Sequence, residues 1–230
     1  MSSPTDQQQV ALLAHLLSYV SENRRARFDA IIPHRTRHLT VVLENIYQPH
    51  NASAVIRTAD CLGIQDVHVV ENSNEYTLNP GVSLGASNWV DLHRYNEGED
   101  NTRTCLTELK NQGYRILATS PHKNSVAPED LDLDTKTALV FGKEKEGLSD
   151  LAFDLADGYL AIPMYGFTES YNISVSAAIC LYTLVQRLHR SEVHWELTPQ
   201  EQTEIMLNWA RGSVRLSAEI EAAFWEANSN

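Results

Sequence analysis

The sequence predicts an α/β fold with a mainly parallel sheet and helices on both faces. Between Thr40 and Arg190, short β-branched and apolar runs alternate with segments of helical spacing, which is typical of strands joined by helical crossovers. Helix-like segments precede and follow this region. We therefore expect a helical N-terminal extension over residues 1–38, a sheet domain over 39–190 and a C-terminal helical extension over 191–230.

The N-terminal extension is predicted to contain two helices. Thr5 followed by Gln8 matches a capping box, and apolar residues recur at helical spacing up to Val20. A second helix should cover 22–32 and end at Pro33. The first residues lack the basic flank and apolar stretch of a signal peptide, and no apolar run approaches a bilayer span. We expect a cytoplasmic protein with no membrane segment.

The predicted sheet domain has strands and helices in turn. Its strands should cover 40–43, 66–70, 114–118, 138–141 and 159–162, and its helices 51–63, 104–112, 148–156 and 173–190. The polar stretch 71–100 should be mostly loop, with a short strand near Val90. In the C-terminal extension, Thr198 and Pro199 should open a helix. Ligands of such sheets bind beyond the carboxyl ends of the strands.

Composition excludes several classes of protein. A hydrophobic content of 43% excludes a disordered chain, and the three scattered cysteines favour reduced thiols over a disulfide framework or a zinc site. The glycine fingerprint of nicotinamide-dependent enzymes is missing. We therefore expect no metal ion and no nicotinamide cofactor.

The charge is strongly acidic overall but locally basic. The net charge is −12, whereas nucleic-acid-binding domains usually carry a basic surface. Only a local patch needs to contact phosphate. The stretch from Arg24 to His38, whose single acid is Asp29, is the candidate patch. Its alternative interpretation is a solvated helix face. The arginines of this patch are Arg24, Arg25, Arg27, Arg35 and Arg37.

The segment after the first strand carries a candidate anion site. Asn51 can open a helix, and Arg57 falls about a turn and a half inside it. A helix N-terminus and a guanidinium both favour phosphate, so the two can act together. The alternative is a capping asparagine and an ion pair between Arg57 and Asp60.

Two further segments directly follow predicted strands. Gly142 allows a sharp turn and a close approach of a flat ligand to the backbone, and Glu144 lies in the loop that follows, where a solvated charge run is the alternative. After the last strand, a loop with Gly166 leads into an apolar helix that Ser170 or Asn172 can cap. Backbone amides there can bind an adenosine edge or a carboxylate, although capping would also explain the polar residues.

These three segments, in this order and spacing, resemble the three signature motifs of the SPOUT methyltransferases, and specifically of the TrmH branch. The matching stretches read N-A-S-A-V-I-R-T, F-G-K-E-K-E-G-L and I-P-M-Y-G-F-T-E-S-Y-N-I-S-V-S. The resemblance covers about Thr40 to Arg190. It implies a parallel sheet whose C-terminal part, about residues 114–190, is tied in a deep trefoil knot.

The resemblance also implies a cofactor and site residues. S-adenosyl-L-methionine would bind bent in the knot, against Thr119, Gly142, Ile162 and Tyr171. The family usually has leucine at the position of Tyr171. A ribose 2′-hydroxyl would attack the cofactor's methyl group. The residues implied in this chemistry are Arg57, Asn51, Glu144 and Asn172.

The family's general base would be Arg57, but arginine keeps its proton in proteins because its pKa lies above about 12. We therefore interpret Arg57 as a phosphate clamp that stabilises the developing alkoxide. By resemblance, the chain forms a homodimer through the first-motif helix and the helix after the third motif. Arg57 of one subunit would approach the cofactor of the other.

The resemblance implies tRNA as the substrate, at guanosine 18 of the D-loop. Relatives that act on large-subunit rRNA often carry a longer N-terminal domain, whereas only about 38 residues precede the first strand here. Methylation of rRNA remains the alternative. A non-catalytic RNA-binding factor with a relic knot would not need Arg57, Asn51, Glu144 and Asn172 together.

Overall fold

The computed structural model describes residues 5–77, 79–120, 124–143 and 146–228. They divide into two compact units, Thr36–Trp195 and the combination of Met1–Arg35 with Glu196–Asn230. Strands and helices are numbered in chain order. The strands are β1 (Leu39–Glu44), β2 (Asp66–Val70), β3 (Asp91–Tyr95), β4 (Arg115–Thr119), β5 (Ser125–Val126), β6 (Thr137–Phe141) and β7 (Gly158–Leu160). The helices are α1 (Asp6–Leu17), α2 (Glu22–Ile31), α3 (Pro49–Cys61), α4 (Pro80–Ser83), α5 (Asn101–Asn111), α6 (Asp150–Leu155), α7 (Ile173–Leu188), α8 (Pro199–Ser213) and α9 (Ser217–Ala227).

The larger unit is built on one parallel sheet. Within the described ranges its strand order is β3-β2-β1-β6-β4-β7-β5, and every neighbouring pair is parallel. The predicted α/β class is therefore confirmed. Because all strands point the same way, their carboxyl ends meet at one edge, and the loops that follow β4, β6 and β7 lie together there.

Helices cover both faces of this sheet. Alternate strand residues point to opposite faces, so Leu43 and Phe141 join the core beneath α3 and α7, while Val42 and Val140 join the core beneath α5 and α6. Every residue of β1, β2 and β6 is buried. This explains why β1 and β6 are mostly apolar runs rather than alternating patterns, whereas the buried strand β2 also carries Asp66 and His68.

Three predicted helix starts are wrong by two or three residues: α5 begins at 101 rather than 104, α6 at 150 rather than 148, and α3 two residues early. Helix α3 begins at Pro49 with Gln48 as its N-cap residue, whereas the sequence suggested Asn51. Proline fits the first helical position because its fixed φ matches the helix and its missing N–H has no partner there anyway. Asn51 lies inside the first turn, where its side-chain amide donates a hydrogen bond of 3.4 Å to Gln48 Oε1.

The smaller unit is helical. Thr5 and Gln8 form the predicted capping box of α1, and Thr198 and Glu201 form a second one at α8. Leucines of α1 pack on α8 in a small apolar core that includes Leu16 and Leu207. The helices of the described ranges are all too short or too polar to cross a lipid bilayer.

A polar cluster lies where β2 and β3 pair. His93 Nε2 is 2.8 Å from Asp66 Oδ1, and Arg37 donates hydrogen bonds to Asp66 at 3.1 Å and to Asp91 at 3.0 Å. His68 is 4% exposed and stacks on His93 with ring centroids 4.6 Å apart. Burial lowers the pKa of His68 to about 3, whereas the hydrogen bond with Asp66 raises the pKa of His93.

We expect acid to destabilise the larger unit through His68. The folded state keeps this imidazole neutral, whereas the unfolded chain takes up a proton below its ordinary pKa of 6.5. Between pH 7 and pH 5 this group should lower the free energy of unfolding by about 2 kcal/mol. His93 acts in the opposite direction, because a pKa raised in the folded state gives a stabilising contribution that is fully present well below pH 6.5 and is lost as the pH rises.

Urea unfolding at the two pH values measures this effect. The Tyr95 hydroxyl lies 3.4 Å from His68 Nδ1. His68→Gln can still hydrogen-bond to that hydroxyl but cannot titrate, so its loss of stability between pH 7 and pH 5 should be about 2 kcal/mol smaller than that of the wild type. His50→Gln, at an exposed histidine of the same unit, is the matched control. An unchanged pH dependence in His68→Gln would contradict the assignment.

Candidate functional site

A cavity of about 630 Å³ opens at the carboxyl ends of β4, β6 and β7. Its volume lies in the range of small-molecule sites. Thr119 ends β4, Gly142 follows β6, and Ile162 and Tyr171 lie in the loop after β7, and all four line the cavity. The structure thus brings together the residues for which the sequence suggested a ligand role, although that role itself stays a prediction.

The second motif forms a tight loop at one wall. Lys143 and Gly147 exchange backbone hydrogen bonds of 3.0 Å in both directions, and Gly147 has a φ of 73°. A Cβ atom on Gly142 would lie 2.5 Å from the backbone nitrogen of Leu148 and closer still to the carbonyl of Gly147. Glycine is therefore required at position 142. The predicted site residue Glu144 lies outside the described residues.

Polar contacts also join the strand ends beside the cavity. Thr119 Oγ1 donates a hydrogen bond of 2.8 Å to the carbonyl of Val140, which ties the ends of β4 and β6 together. Ser170, Asn172 and Ser176 supply further polar groups, and apolar side chains supply the rest of the surface. The apolar lining residues include Phe141, Leu148, Phe153, Leu160, Met164 and Ile173.

Asn51 and Asn172 are in contact, as their shared assignment to one site requires. The Asn172 side-chain amide donates to Asn51 Oδ1 at 3.3 Å. Asn172 also caps α7, because its Oδ1 accepts hydrogen bonds from the backbone and hydroxyl of Ser174 at 2.9 and 2.6 Å. Capping therefore explains in part why a polar residue stands at position 172. Asn172 also lines the cavity.

Arg57 lies on α3 and is not among the residues that line the cavity. It borders a second, more open cavity of about 500 Å³ between α3 and α7, with Leu62, Ile179 and Tyr182 among its neighbours. The side chain of Arg57 is exposed. The Arg57 side chain makes no hydrogen bond or ion pair with any residue in the described ranges, so the alternative pairing with Asp60 does not occur. The structure of one chain does not bring Arg57 to the first cavity.

The basic patch is divided by the structure. Arg24, Arg25 and Arg27 are exposed on α2, and their role as nucleic-acid contacts stays a prediction. Arg35 is 2% exposed, and its guanidinium carbon lies 5.3 Å from the centroid of the Trp209 ring. Arg37 is mostly buried and holds Asp66 and Asp91. The predictions for Arg35 and Arg37 are corrected accordingly, because shielded or carboxylate-bound guanidinium groups cannot dock phosphate.

Glu44 is a structural residue of the site that the sequence did not reveal. It ends β1, is 2% exposed, and accepts hydrogen bonds from Thr102 Oγ1 at 2.6 Å and from the Ser149 nitrogen and hydroxyl at 2.9 and 2.6 Å. Ser149 directly follows the second motif and caps α6. The sequence feature that could have revealed this role is a carboxylate at the end of a mostly apolar strand.

Replacing Glu44 by alanine should lower the free energy of unfolding by about 3 kcal/mol, because Thr102 and Ser149 would lose a charged acceptor in a buried position. Glu44→Gln keeps one acceptor oxygen and should cost less. Chemical denaturation measures both, with the exposed Glu99→Ala as a control that should stay within about 0.5 kcal/mol of wild type. A Glu44→Ala protein as stable as that control would show that the hydrogen bonds contribute nothing.

No cluster of three or more His, Cys, Asp or Glu side chains suited to a metal ion occurs among the residues the structure describes.

Comparisons with known proteins agree with the resemblance seen in the motifs. The tRNA (guanosine(18)-2'-O)-methyltransferase of Borreliella burgdorferi is 43% identical over 200 residues, which cover 87% of this chain and 90% of the relative. The enzyme of the same name from Thermus thermophilus is 32% identical over 193 residues, covering 83% and 97%. A crystal structure of the A. aeolicus TrmH/SpoU tRNA modifying enzyme superposes with a TM-score of 0.74 and 31% identity, covering 84% of this chain and 98% of that one. A model of the SpoU rRNA Methylase family matches residues 38–182. The chain therefore belongs to the SpoU rRNA methylase family, within which its motifs and its relatives correspond to the TrmH branch.

Proposed function

We propose that this chain transfers a methyl group from S-adenosyl-L-methionine to the ribose 2′-hydroxyl of guanosine 18 in the D-loop of tRNA. The cavity carries the proposal, because it gathers Thr119, Gly142, Ile162, Tyr171 and Asn172 from three separate strand ends. Relatives that match over most of their length and bear this activity in their names support the substrate.

The cavity fits the cofactor by size and chemistry. Apolar side chains such as Leu148 and Met164 suit an adenine ring, and polar groups such as Ser170 suit its edges and the amino-acid end. Gly142 lets the backbone of Gly147 and Leu148 pack closely against it, which shapes this part of the lining. The sequence-based expectation that Gly142 makes room for a ligand is corrected, because the chain's own backbone fills that space. Glu146 lines the cavity paired with Lys143 at 2.7 Å, and the carboxylate of Glu169, which also lines it, favours a cationic ligand. When bound, the cofactor supplies a methyl group on a positively charged sulfur.

The protein's own task is then alignment and charge stabilisation. The Asn51–Asn172 contact holds one wall of the cavity, so both are assigned to orient the ribose. Glu144 is assigned the same role by its motif. Arg57 is assigned to clamp the adjacent phosphate and stabilise the developing alkoxide. Tyr171, 43% exposed at the cavity, contributes its backbone where the family usually has leucine.

The role of Arg57 requires a second copy of the chain, and we propose a homodimer. In one chain Arg57 borders the groove between α3 and α7, together with Tyr182, which is 59% exposed. Val175, on α7, is 44% exposed. A two-fold partner that covers this apolar surface would bury it. Arg57 would then face the partner's cavity.

The remaining parts of the proposal concern topology and RNA docking. Strands β4, β6 and β7 are neighbours out of sequence order, which is compatible with a trefoil knot over about 114–190. Exposed Arg24, Arg25 and Arg27 on α2 are the candidate phosphate contacts. Action on tRNA agrees with a cytoplasmic location.

Methyl transfer from labelled S-adenosyl-L-methionine tests the proposal. Unmodified tRNA and large-subunit rRNA fragments are offered in parallel, and cofactor binding is measured by calorimetry. We expect label on tRNA within the D-loop. Label on rRNA only would move the substrate to the alternative that the family description suggests. Cofactor binding without transfer to any RNA would contradict an enzyme of this kind.

A further inference from the structure

The loop between β7 and α7 carries two aromatic side chains that the fold leaves in water. Tyr165 is 97% exposed and Phe167 is 109% exposed, so neither gains burial from its own chain. The other phenylalanines in the described ranges are buried or half-buried. Large apolar groups that remain fully exposed mark surfaces that a partner covers.

The position of this aromatic pair points to the kind of partner. Met164, just before it, and Glu169, just after it, both line the cofactor cavity. The segment from Tyr165 to Thr168 therefore leaves the cavity and returns to it, so its side chains stand at the cavity's rim. Whatever enters the cavity with its reacting hydroxyl must bring its neighbouring groups past this rim.

The local charge argues against a phosphate contact at this rim. Glu169 lines the cavity together with Glu146 and Lys143, which form an ion pair of 2.7 Å. The described charged residues of the lining therefore carry no positive excess, and the carboxylate of Glu169 repels an RNA backbone. A nucleobase presents a neutral flat face, which stacks on an aromatic ring without needing positive charge. Single-stranded loops, whose bases are splayed out, are commonly recognised in this way.

We propose that Tyr165 and Phe167 form a stacking platform for the nucleobases at and next to the ribose that is methylated. The proposal rests on the proposed function and deepens it, because it names how the RNA loop is held open. A ribose hydroxyl has to come within about 3–3.5 Å of the methyl carbon in line with the bond that breaks. Aromatic faces beside the cavity hold the base of that nucleotide or its neighbour out of the loop's own stack.

Substitutions at Phe167 test the platform. Phe167→Leu keeps an apolar group of similar length but removes the flat ring, and should weaken tRNA affinity on the order of 10-fold. Phe167→Trp retains a stacking face and should stay near wild type. The affinity for S-adenosyl-L-methionine should be unchanged in both, because residue 167 is not among those that line the cavity. Tyr165→Leu should act in the same direction.

Modified RNA identifies the stacked base. The nucleobase of guanosine 18 or of either neighbour is removed, one at a time, and tRNA affinity is measured with wild type and Phe167→Leu. At the stacked position the two changes should not multiply, since each removes one partner of the same contact. Effects that multiply at all three positions, or an unchanged tRNA affinity of Phe167→Leu, would overturn the proposal.

Two further readings separate this proposal from its rivals. If Phe167→Leu dissociates the protein into monomers without RNA, the aromatic pair packs on a second copy of the chain and the stacking proposal fails. Affinity is measured apart from turnover, so a wild-type protein that binds tRNA but transfers no methyl group would contradict the proposed function. The ratio of tRNA affinities between wild type and Phe167→Leu would still decide the stacking proposal.

Discussion

Replacement of Arg57 by lysine should lower kcat for methyl transfer about 100-fold, because lysine keeps the charge but lacks the planar fork that holds a phosphate at two oxygens. Arg57→Ala should lose on the order of 1,000-fold. Neither change should affect folding, since the side chain is exposed and makes no hydrogen bond or ion pair with any residue the structure describes. Single-turnover kinetics with saturating cofactor measure the effect.

The control for charge-preserving change is Arg103→Lys on α5, whose side chain is 57% exposed. It should retain wild-type turnover. If Arg57→Lys also retained near-full turnover, Arg57 would act through its charge and not as a two-pronged clamp. That outcome would leave the rest of the site intact.

A mixing experiment tests whether Arg57 acts across the subunit boundary. Two inactive variants are mixed. The Arg57→Ala chain has an intact cavity, and the second variant has a damaged cavity but an intact Arg57. In a dimer that combines one chain of each variant, an arginine that serves the partner's cavity would restore one of the two sites. Random mixing should then recover about a quarter of wild-type activity. No recovery after subunit exchange would mean that Arg57 serves its own chain's cavity or none.

Gly142→Ala should supply that damaged cavity. The added Cβ would lie 2.5 Å from the Leu148 nitrogen, against backbone rather than a flexible side chain. The loop closed by Lys143 and Gly147 must therefore shift. We expect a loss of about 1–3 kcal/mol in the free energy of unfolding, as in other overpacked interiors, and a cofactor affinity at least 10-fold weaker.

Calorimetry with S-adenosyl-L-methionine and chemical denaturation separate the two effects of this change. Gly212→Ala on α8, where an added Cβ meets nothing within 4 Å, is the matched control. It should bind the cofactor like wild type. A Gly142→Ala protein with unchanged cofactor affinity would show that the second-motif loop is not part of the cofactor site.

The strands were predictable because their burial leaves a plain signal. β1 and β6 are buried throughout, and a strand covered on both faces favours a mostly apolar run. β5 spans only Ser125–Val126. It was not predicted, because two residues carry no periodicity and are positioned by pairing with β7.

The family resemblance named residues of the site, but it did not give their arrangement. It named Gly142, Ile162 and Tyr171 as cofactor contacts, a role that stays a prediction, and parallel strands ending at one edge bring the three to one cavity. Asn51 was misjudged because capping preference favours asparagine, while Pro49 sets the helix start. Arg57 lies away from that cavity in one chain, and a sequence cannot show which subunit a helix face serves.

Charge patterns were the weakest guide. The arginines from 24 to 37 look alike in sequence, yet Arg35 packs on Trp209, which is far along the chain, and Arg37 binds Asp66 and Asp91. The partner residues come from helix α8 and strands β2 and β3. Local composition carries no information on such distant contacts. The burial of Arg35 and Arg37 therefore became visible only in the folded structure.

The central claim is that the methyl group is transferred to the 2′-oxygen of guanosine 18. The most direct test compares two tRNA molecules that differ in one atom: one has a ribose at position 18 and the other a 2′-deoxyribose. With labelled S-adenosyl-L-methionine, we expect full labelling of the first and only background labelling of the second. Equal labelling of the two would contradict the account, because the accepting oxygen would then lie elsewhere in the RNA.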